Sequence, residues 1–455
     1  MNKVLMEKRL KLNILFLFVV FLFIAGHGIY LNTPWVNLEY SFAEATRTIL
    51  NPNYNIGLEH YWEIEANPLG YSLVTAIIAS FLDISFWSVR IPSLLGGIAI
   101  LFAGWAYYRK CKFKQNSLFM LWALFFSLNP LVWIYSGRAT ADILPVGLVV
   151  LAFLFCYCAQ DRLWIHFIGG LCFSLAALVK FHSVLLGLGF AYIIFTNQNG
   201  QVIWGLRKGI NLLFYSLLPA FVLGIYFFVI YKQFGIVFIP EKCKEAMIEG
   251  YDKKFISIFL MYSSYLTMML ILPIFLCIIH LRKAWSQKNF YIFVTITIVF
   301  GIISVETLSS FNMGEMGYSN LYDAYLNQKI VSLIRISSFI LAFFFFAEII
   351  NAAVREKNEM ASFLLCSLVP FLIIISFFKP AQRYLLFCFP FVTFYLVVIL
   401  GSRMPRLTQW IGWPSAFIFS IITLISVFYQ IGQGRAQRYT ICAICGQNSF
   451  LLLPS

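Results

Sequence analysis

Charged side chains make up only 11% of this 455-residue sequence against 61% hydrophobic residues, so each one set beside an apolar run invites a chemical reading. Glu39 and Glu65 lie in the segment "NTPWVNLEYSFAEATRTILNPNYNIGLEHYWEIEANPLGY", Asn32 to Tyr71, together with Glu44, Glu59 and Glu63. Arg138 and Asp142 stand four apart in "SGRATAD", Lys180 sits between two apolar runs in "SLAALVKFHS", and Arg383 and Tyr384 open "RYLLFCFPF". Carboxylates and cations gathered at the ends of apolar helices suit a lipid-phosphate sugar donor. The lipid tail stays in the bilayer, fixed cations hold the phosphate, and a carboxylate takes the proton of an acceptor hydroxyl or amine. Phosphate leaves readily once its charge is neutralised, so a base and one or two cations suffice. Plainer readings exist for the same residues: Arg138 and Asp142 as an i,i+4 ion pair, Lys180 as a snorkelling anchor, and Glu44, Glu59 and Glu63 as a solvated face.

The elements that must position these groups are apolar helices. A mean hydropathy of +0.83 and apolar blocks of about 17 to 25 residues match the length that crosses roughly 30 Å of hydrocarbon, and the blocks lack the alternation of a β-barrel. The sequence therefore predicts an all-α polytopic membrane protein of about thirteen transmembrane helices. They fall near 12–30, 87–108, 117–135, 143–159, 164–179, 181–197, 210–231, 256–281, 290–309, 332–353, 361–378, 385–401 and 411–430. The short apolar stretch from Leu69 to Leu82 reads as an interfacial helix. With it outside the span count, the basic joints "MEKRLK", "RKCKFK", "GLRKG", "LRKAWSQK", "VREKNE" and "SRMPR" all fall on the cytoplasmic side. The chain reads as one domain over residues 1–455, with a first outer loop at 31–86, a second at 310–330 and an outer tail at 431–455.

Membrane topology also accounts for the net charge of +14, because Lys and Arg sit in small groups between apolar blocks instead of lining one nucleic-acid-binding face. The ten cysteines are scattered through apolar blocks and imply no disulfide framework. "CAIC" at Cys442 to Cys445 is a lone CxxC in a short tail. The first apolar run reads as a retained span. No internal repeat is visible.

The ordered series "LEYSFAEATRTIL", "EIEANPLGY", "SVRIPSLLGG", "SLNPLVWIYSGRATAD", "LAALVKFHS" and "RYLLFCFPF" resembles the bacterial members of glycosyltransferase family 39, over roughly Lys3 to Leu400. That family holds protein O-mannosyltransferases and lipid A aminoarabinose transferases, GT-C-type enzymes that use polyprenyl-phosphate sugars. The resemblance implies a GT-C-like bundle with interfacial helices in the first outer loop, in a bacterial inner membrane with its active site on the outer face. It implies Glu39 as catalytic base and Asp142 and Arg138 shaping the sugar or acceptor side, Arg138 with a share in the phosphate site. Lys180 and Arg383 would hold the donor phosphate, with Glu65 and Tyr384 contacting substrate. The family opens its first outer loop with an Asp-Glu pair; aligned on Ala43 and Glu44, this sequence has Leu38 in place of the Asp and Glu39 beside it.

The expected partners are thus a polyprenyl-phosphate sugar donor, membrane lipid, and a lipid A, glycan or protein acceptor, with no nucleic acid. No metal is assigned, although His27, His60, His182 and Glu65 leave a divalent ion open. A transporter or lipid flippase, or an enzyme like the O-antigen ligases and polymerases, is the alternative. A transporter would place ionisable groups nearer the bilayer midplane.

Overall fold

The apolar blocks fold as helices of unequal length, and their breaks fall where the sequence carries prolines, glycines or charges. The computed structural model describes residues 3–31, 35, 39–51, 68–111, 113, 115–159, 162–196, 203–235, 245, 248, 252–304 and 328–445. Its first half comprises α1 (Lys3–Leu31), α2 (Glu39–Leu50), α3 (Gly70–Leu82), α4 (Ile91–Lys110), α5 (Asn116–Ser127), α6 (Pro130–Ser136), α7 (Ile143–Ala159) and α8 (Leu163–Val179). A 3-10 turn at Phe181–Leu186 leads into α9 (Gly187–Phe195), followed by α10 (Leu206–Phe234). The second half comprises α11 (Phe255–Met268), α12 (Ile271–Ala284), α13 (Gln287–Ile303), α14 (Gln328–Val354) and α15 (Glu359–Ile375). A 3-10 turn at Gln382–Phe387, α16 (Phe389–Phe394), a π-helical turn at Tyr395–Leu400 and α17 (Pro405–Cys445) complete it.

Five described helices are long and apolar enough to cross a membrane, and seven if each bent pair counts as one span. The expected span at 117–135 is bent by 59° between α5 and α6. Its break has a local cause: Pro130 cannot continue a helix but opens one well, and the Asn129 side chain caps the new start by accepting from Leu131 N at 2.9 Å. The expected span at 256–281 divides into α11 and α12 with a bend of 100°. The expected spans at 143–159, 164–179, 181–197, 290–309, 361–378 and 385–401 take shape as apolar helices of 17 residues or fewer. Helix α3, at 13 residues, is about 20 Å long and too short for a bilayer. Glu65, Leu38, His60 and residues 310–327 of the second outer loop lie outside the described residues. The expected tail begins as a continuation of α17, which runs to Cys445.

Four glycines let five of these helices approach closely. A Cβ added at Gly147 would lie 2.6 Å from Gly96 O, and one at Gly96 would lie 2.7 Å from Ile143 O, so α4 and α7 cross backbone to backbone. Gly170 brings α8 equally close to Phe214 of α10. Gly70, at the start of α3, packs on the carbonyl of Leu178 in the last turn of α8. The starts of α3, α4 and α7 are thereby tied to the end of α8, and the candidate site forms at that junction.

Candidate functional site

Helices α7 and α8 are both 17 residues long and pack as antiparallel neighbours. Residues that precede the first and follow the second must therefore meet, and these are Asp142 and Lys180. Asp142 stands before the N-terminus of α7, where the helix dipole favours a carboxylate, and Lys180 caps the C-terminus of α8, where it favours a cation. Lys180 Nζ donates to Asp142 Oδ1, and both side chains are almost fully buried. Burial alone would raise the Asp142 carboxyl, but Lys180 and Arg383 outweigh it and hold it below the usual carboxylate range.

Arg383 reaches the same carboxylate from the 3-10 turn that follows α15, with Nε 4.0 Å from Asp142 Oδ1, and its side chain stays 30% exposed. Ala381 N donates to Tyr262 OH of α11 at 2.9 Å, which fixes that turn. The buried Tyr384 ring lies 5.0 Å from Lys180 Nζ, a cation–π distance, and stacks on the His182 ring at 4.7 Å. The Nδ1 of His182 finds no hydrogen-bond partner among the described residues. The site thus holds one carboxylate, two cations and an aromatic wall, with the arginine at its rim.

Glu39 sits in a different setting. At the start of α2 it is fully buried, and Arg90 grips it with two bonds, Nε to Oε1 at 2.8 Å and Nη2 to Oε2 at 2.7 Å. Ala139 N also donates to Oε1, at 2.7 Å. Burial pushes this carboxyl upward, but Arg90, Arg138 and the Ala139 amide together hold it below its usual value. Arg90 Nη1 further donates to Leu31 O at 2.9 Å. The effect is to clamp the loop Gly137–Asp142 onto α1, α2 and the start of α4. Tyr71 OH donates to Val89 O at 2.9 Å and lies 2.9 Å from Ser93 Oγ, which donates to Thr140 O at 3.3 Å, a second tie to the same loop.

Of the residues expected from sequence, Asp142, Lys180, Arg383 and Tyr384 come together, with Arg138 beside them on the clamped loop and Glu39 holding that loop from the start of α2. Glu65 lies outside the described residues. Sequence reasoning missed Arg90 as a partner of Glu39 and gave His182 only a metal-ligand reading. A signal for Arg90 was present, because an arginine at the mouth of an apolar helix is rarely buried without a carboxylate. His27 has one ring nitrogen 2.7 Å from Phe23 O and the other 3.0 Å from Trp133 O. Among the described residues no group of three or more His, Cys, Asp or Glu is arranged to hold a metal ion. Trp35 is buried edge-on against Tyr40 and Phe86, and Glu44 pairs with Arg47 at 2.5 Å as a helix-surface bridge.

No family model matches this sequence, and no curated protein matches it. Two crystal structures of ArnT from Cupriavidus metallidurans are similar in shape. The apo state is 14% identical, covers 84% of this chain and 77% of its own, and gives a TM-score of 0.42. The state bound to undecaprenyl phosphate is 15% identical, covers 93% and 79%, and gives a TM-score of 0.47.

Proposed function

We propose that this chain is a membrane glycosyltransferase. It moves a sugar from a polyprenyl-phosphate donor, with inversion, to a hydroxyl or amine of a lipid A, glycan or protein acceptor on the non-cytoplasmic face of a bacterial inner membrane. The observation that carries this reading is the buried Asp142–Lys180 pair with Arg383 at its rim, built at the ends of apolar helices. An incoming donor phosphate competes with Asp142 for the two cations. As Lys180 and Arg383 turn to the phosphate, Asp142 loses the charges that depress its basicity and becomes able to take the acceptor proton. The acceptor oxygen or nitrogen bonds to the anomeric carbon while the bond from that carbon to the phosphate oxygen breaks. Its electron pair leaves with polyprenyl phosphate, whose charge Lys180 and Arg383 stabilise.

Within this mechanism Asp142 is the catalytic base, and Glu39 has a structural role, holding the Gly137–Asp142 loop, because Arg90 and Ala139 already engage both its oxygens. Tyr384 and His182 offer a stacking face to the sugar, while Arg138 serves the sugar or phosphate side from the clamped loop. Glu65 keeps the substrate-contacting role that the family resemblance implies.

The test is release of polyprenyl phosphate by purified protein in nanodiscs from a panel of polyprenyl-phosphate sugars. Arg383→Gln, Lys180→Met and Asp142→Asn should each lower the rate by about a hundredfold or more while remaining monodisperse. Wild-type rates in Arg383→Gln and Asp142→Asn would overturn the mechanism. If wild type releases no polyprenyl phosphate from any donor, the transferase reading falls and the transporter reading takes its place.

A further inference from the structure

At the other end of α7 and α8, about 25 Å from Asp142 and Lys180 along 17-residue helices, six helix ends surround a second cavity of about 330 Å³. Its walls are the last turns of α4, α7 and α9 and the first turns of α8, α10 and α15. The cavity shares no residue with the site above, and its charge pattern is specific. Lys110 and Lys208 bring two cations to it. Lys208 stands in the first turn of α10, where the helix dipole disfavours a cation, yet its Nζ is tethered by donating to Ile194 O at 2.6 Å. Such a placement is relieved by an anion held between the lysines and the helix start.

Acceptors line the same cavity. Asn211 is 3% exposed, and its Oδ1 finds no hydrogen-bond partner among the described residues. Glu359 adds a carboxylate beside Tyr157. A buried carbonyl without a donor is costly, so a group that brings a donor to Asn211 while its anion meets the lysines satisfies both demands. The volume lies at the lower end of small-molecule sites, roughly 300–1,000 Å³, which suits a headgroup and leaves no room for acyl chains. We propose that this cavity binds a phospholipid headgroup that pairs a phosphate with an amine or hydroxyl donor, its chains remaining in the bilayer.

The experiment is native mass spectrometry of the full chain, delipidated and titrated with short-chain phosphatidylethanolamine, phosphatidylglycerol or phosphatidylcholine, and with chain-free glycerophosphoethanolamine. One saturable molecule of phosphatidylethanolamine or phosphatidylglycerol per chain is expected, with phosphatidylcholine, which has the phosphate but no donor, bound at least about tenfold more weakly. Lys110→Gln/Lys208→Gln should weaken binding at least about tenfold, and the control Lys283→Gln/Lys288→Gln, exposed elsewhere on the basic joints, should not. Equal binding of glycerophosphoethanolamine would support the phosphate-plus-donor site and assign it to a soluble compound. Unchanged binding in the Lys110/Lys208 variant, or an equal loss in the control, overturns the proposal. If the lysine variant does not fold, Asn211→Leu decides: loss of the preference over phosphatidylcholine supports the site, and its retention overturns it.

Discussion

The difference between Glu39 and Asp142 is one of saturation. Both carboxylates are buried and paired with a cation, but Glu39 is held by a bidentate guanidinium and a backbone amide, whereas one partner of Asp142 is an arginine at the rim. Removing one member of a buried pair leaves the other charge unpaired, at a cost of about 3–5 kcal/mol. Glu39→Gln should therefore lower the thermal unfolding midpoint sharply and reduce activity in step with the folded fraction. Arg90→Met should do the same. The dependence on pH has a definite sign. Both carboxyls lie below their ordinary values, 4.5 for Glu and 3.8 for Asp, so the stability they contribute is complete above those values. It is lost as pH falls through the lower native ones. Unfolding midpoints measured from pH 7 downward should show the gap between wild type and Glu39→Gln closing only below about pH 4.5; a gap that closes near pH 6 would show that another group governs it.

Elements decide how much of this was legible in the sequence. Asp142 and Lys180 could be placed together because the runs near 143–159 and 164–179 are of nearly equal length and joined by a short turn, so their outer ends must meet. Glu39 and Arg90 could not, because 50 residues separate them and a long polar loop lies between. The breaks inside the expected spans at 117–135 and 256–281 were also hidden: hydropathy averages over a bend, and the cap at Asn129 is a local hydrogen bond that a window does not detect. The close crossing of α4 and α7 depends on Gly96 and Gly147, whose meaning appears only when the two backbones are brought together. Gly147→Ala should thus destabilise at or beyond the roughly 1–3 kcal/mol typical of overpacking, since the atom in the way is a backbone carbonyl. Gly209→Ala in α10 meets nothing within 4 Å and should be neutral or stabilising by up to about 1 kcal/mol through helix propensity. Unfolding midpoints of the two variants check this; equal effects would show that the crossing does not control stability.

Two clusters of charged groups lie at opposite ends of the described bundle. Asp142, Lys180, Arg383, Glu39 and Arg90 gather at one. At the other, Lys110 and Lys208 share a cavity with Glu359. Three residues before Glu359, Glu356 bonds Arg403 at 2.5 Å, and Arg403 donates to His280 Nε2 at 2.9 Å. His280 Nδ1 in turn donates to the buried Glu348 at 2.9 Å, and Tyr395 OH donates to the same carboxylate at 3.0 Å. Glu348, one of the few charges within a long apolar helix, is therefore tied through His280 and Arg403 into the basic end. By the positive-inside rule that end is expected to face the cytoplasm and the Asp142 end the opposite side, an expectation that labelling tests. Lys283 and Lys379 are exposed and suit single-cysteine labelling, in a background without reactive native cysteines, with a membrane-impermeant maleimide on spheroplasts. Lys379→Cys, four residues before Arg383, should label at once, and Lys283→Cys, in the last turn of α12, only after permeabilisation. The reverse pattern would put the Asp142–Lys180 pair in the cytoplasm, where an acceptor could come from the soluble pool. The chemistry of the site would then stand, but the reading of an outer-face acceptor would not.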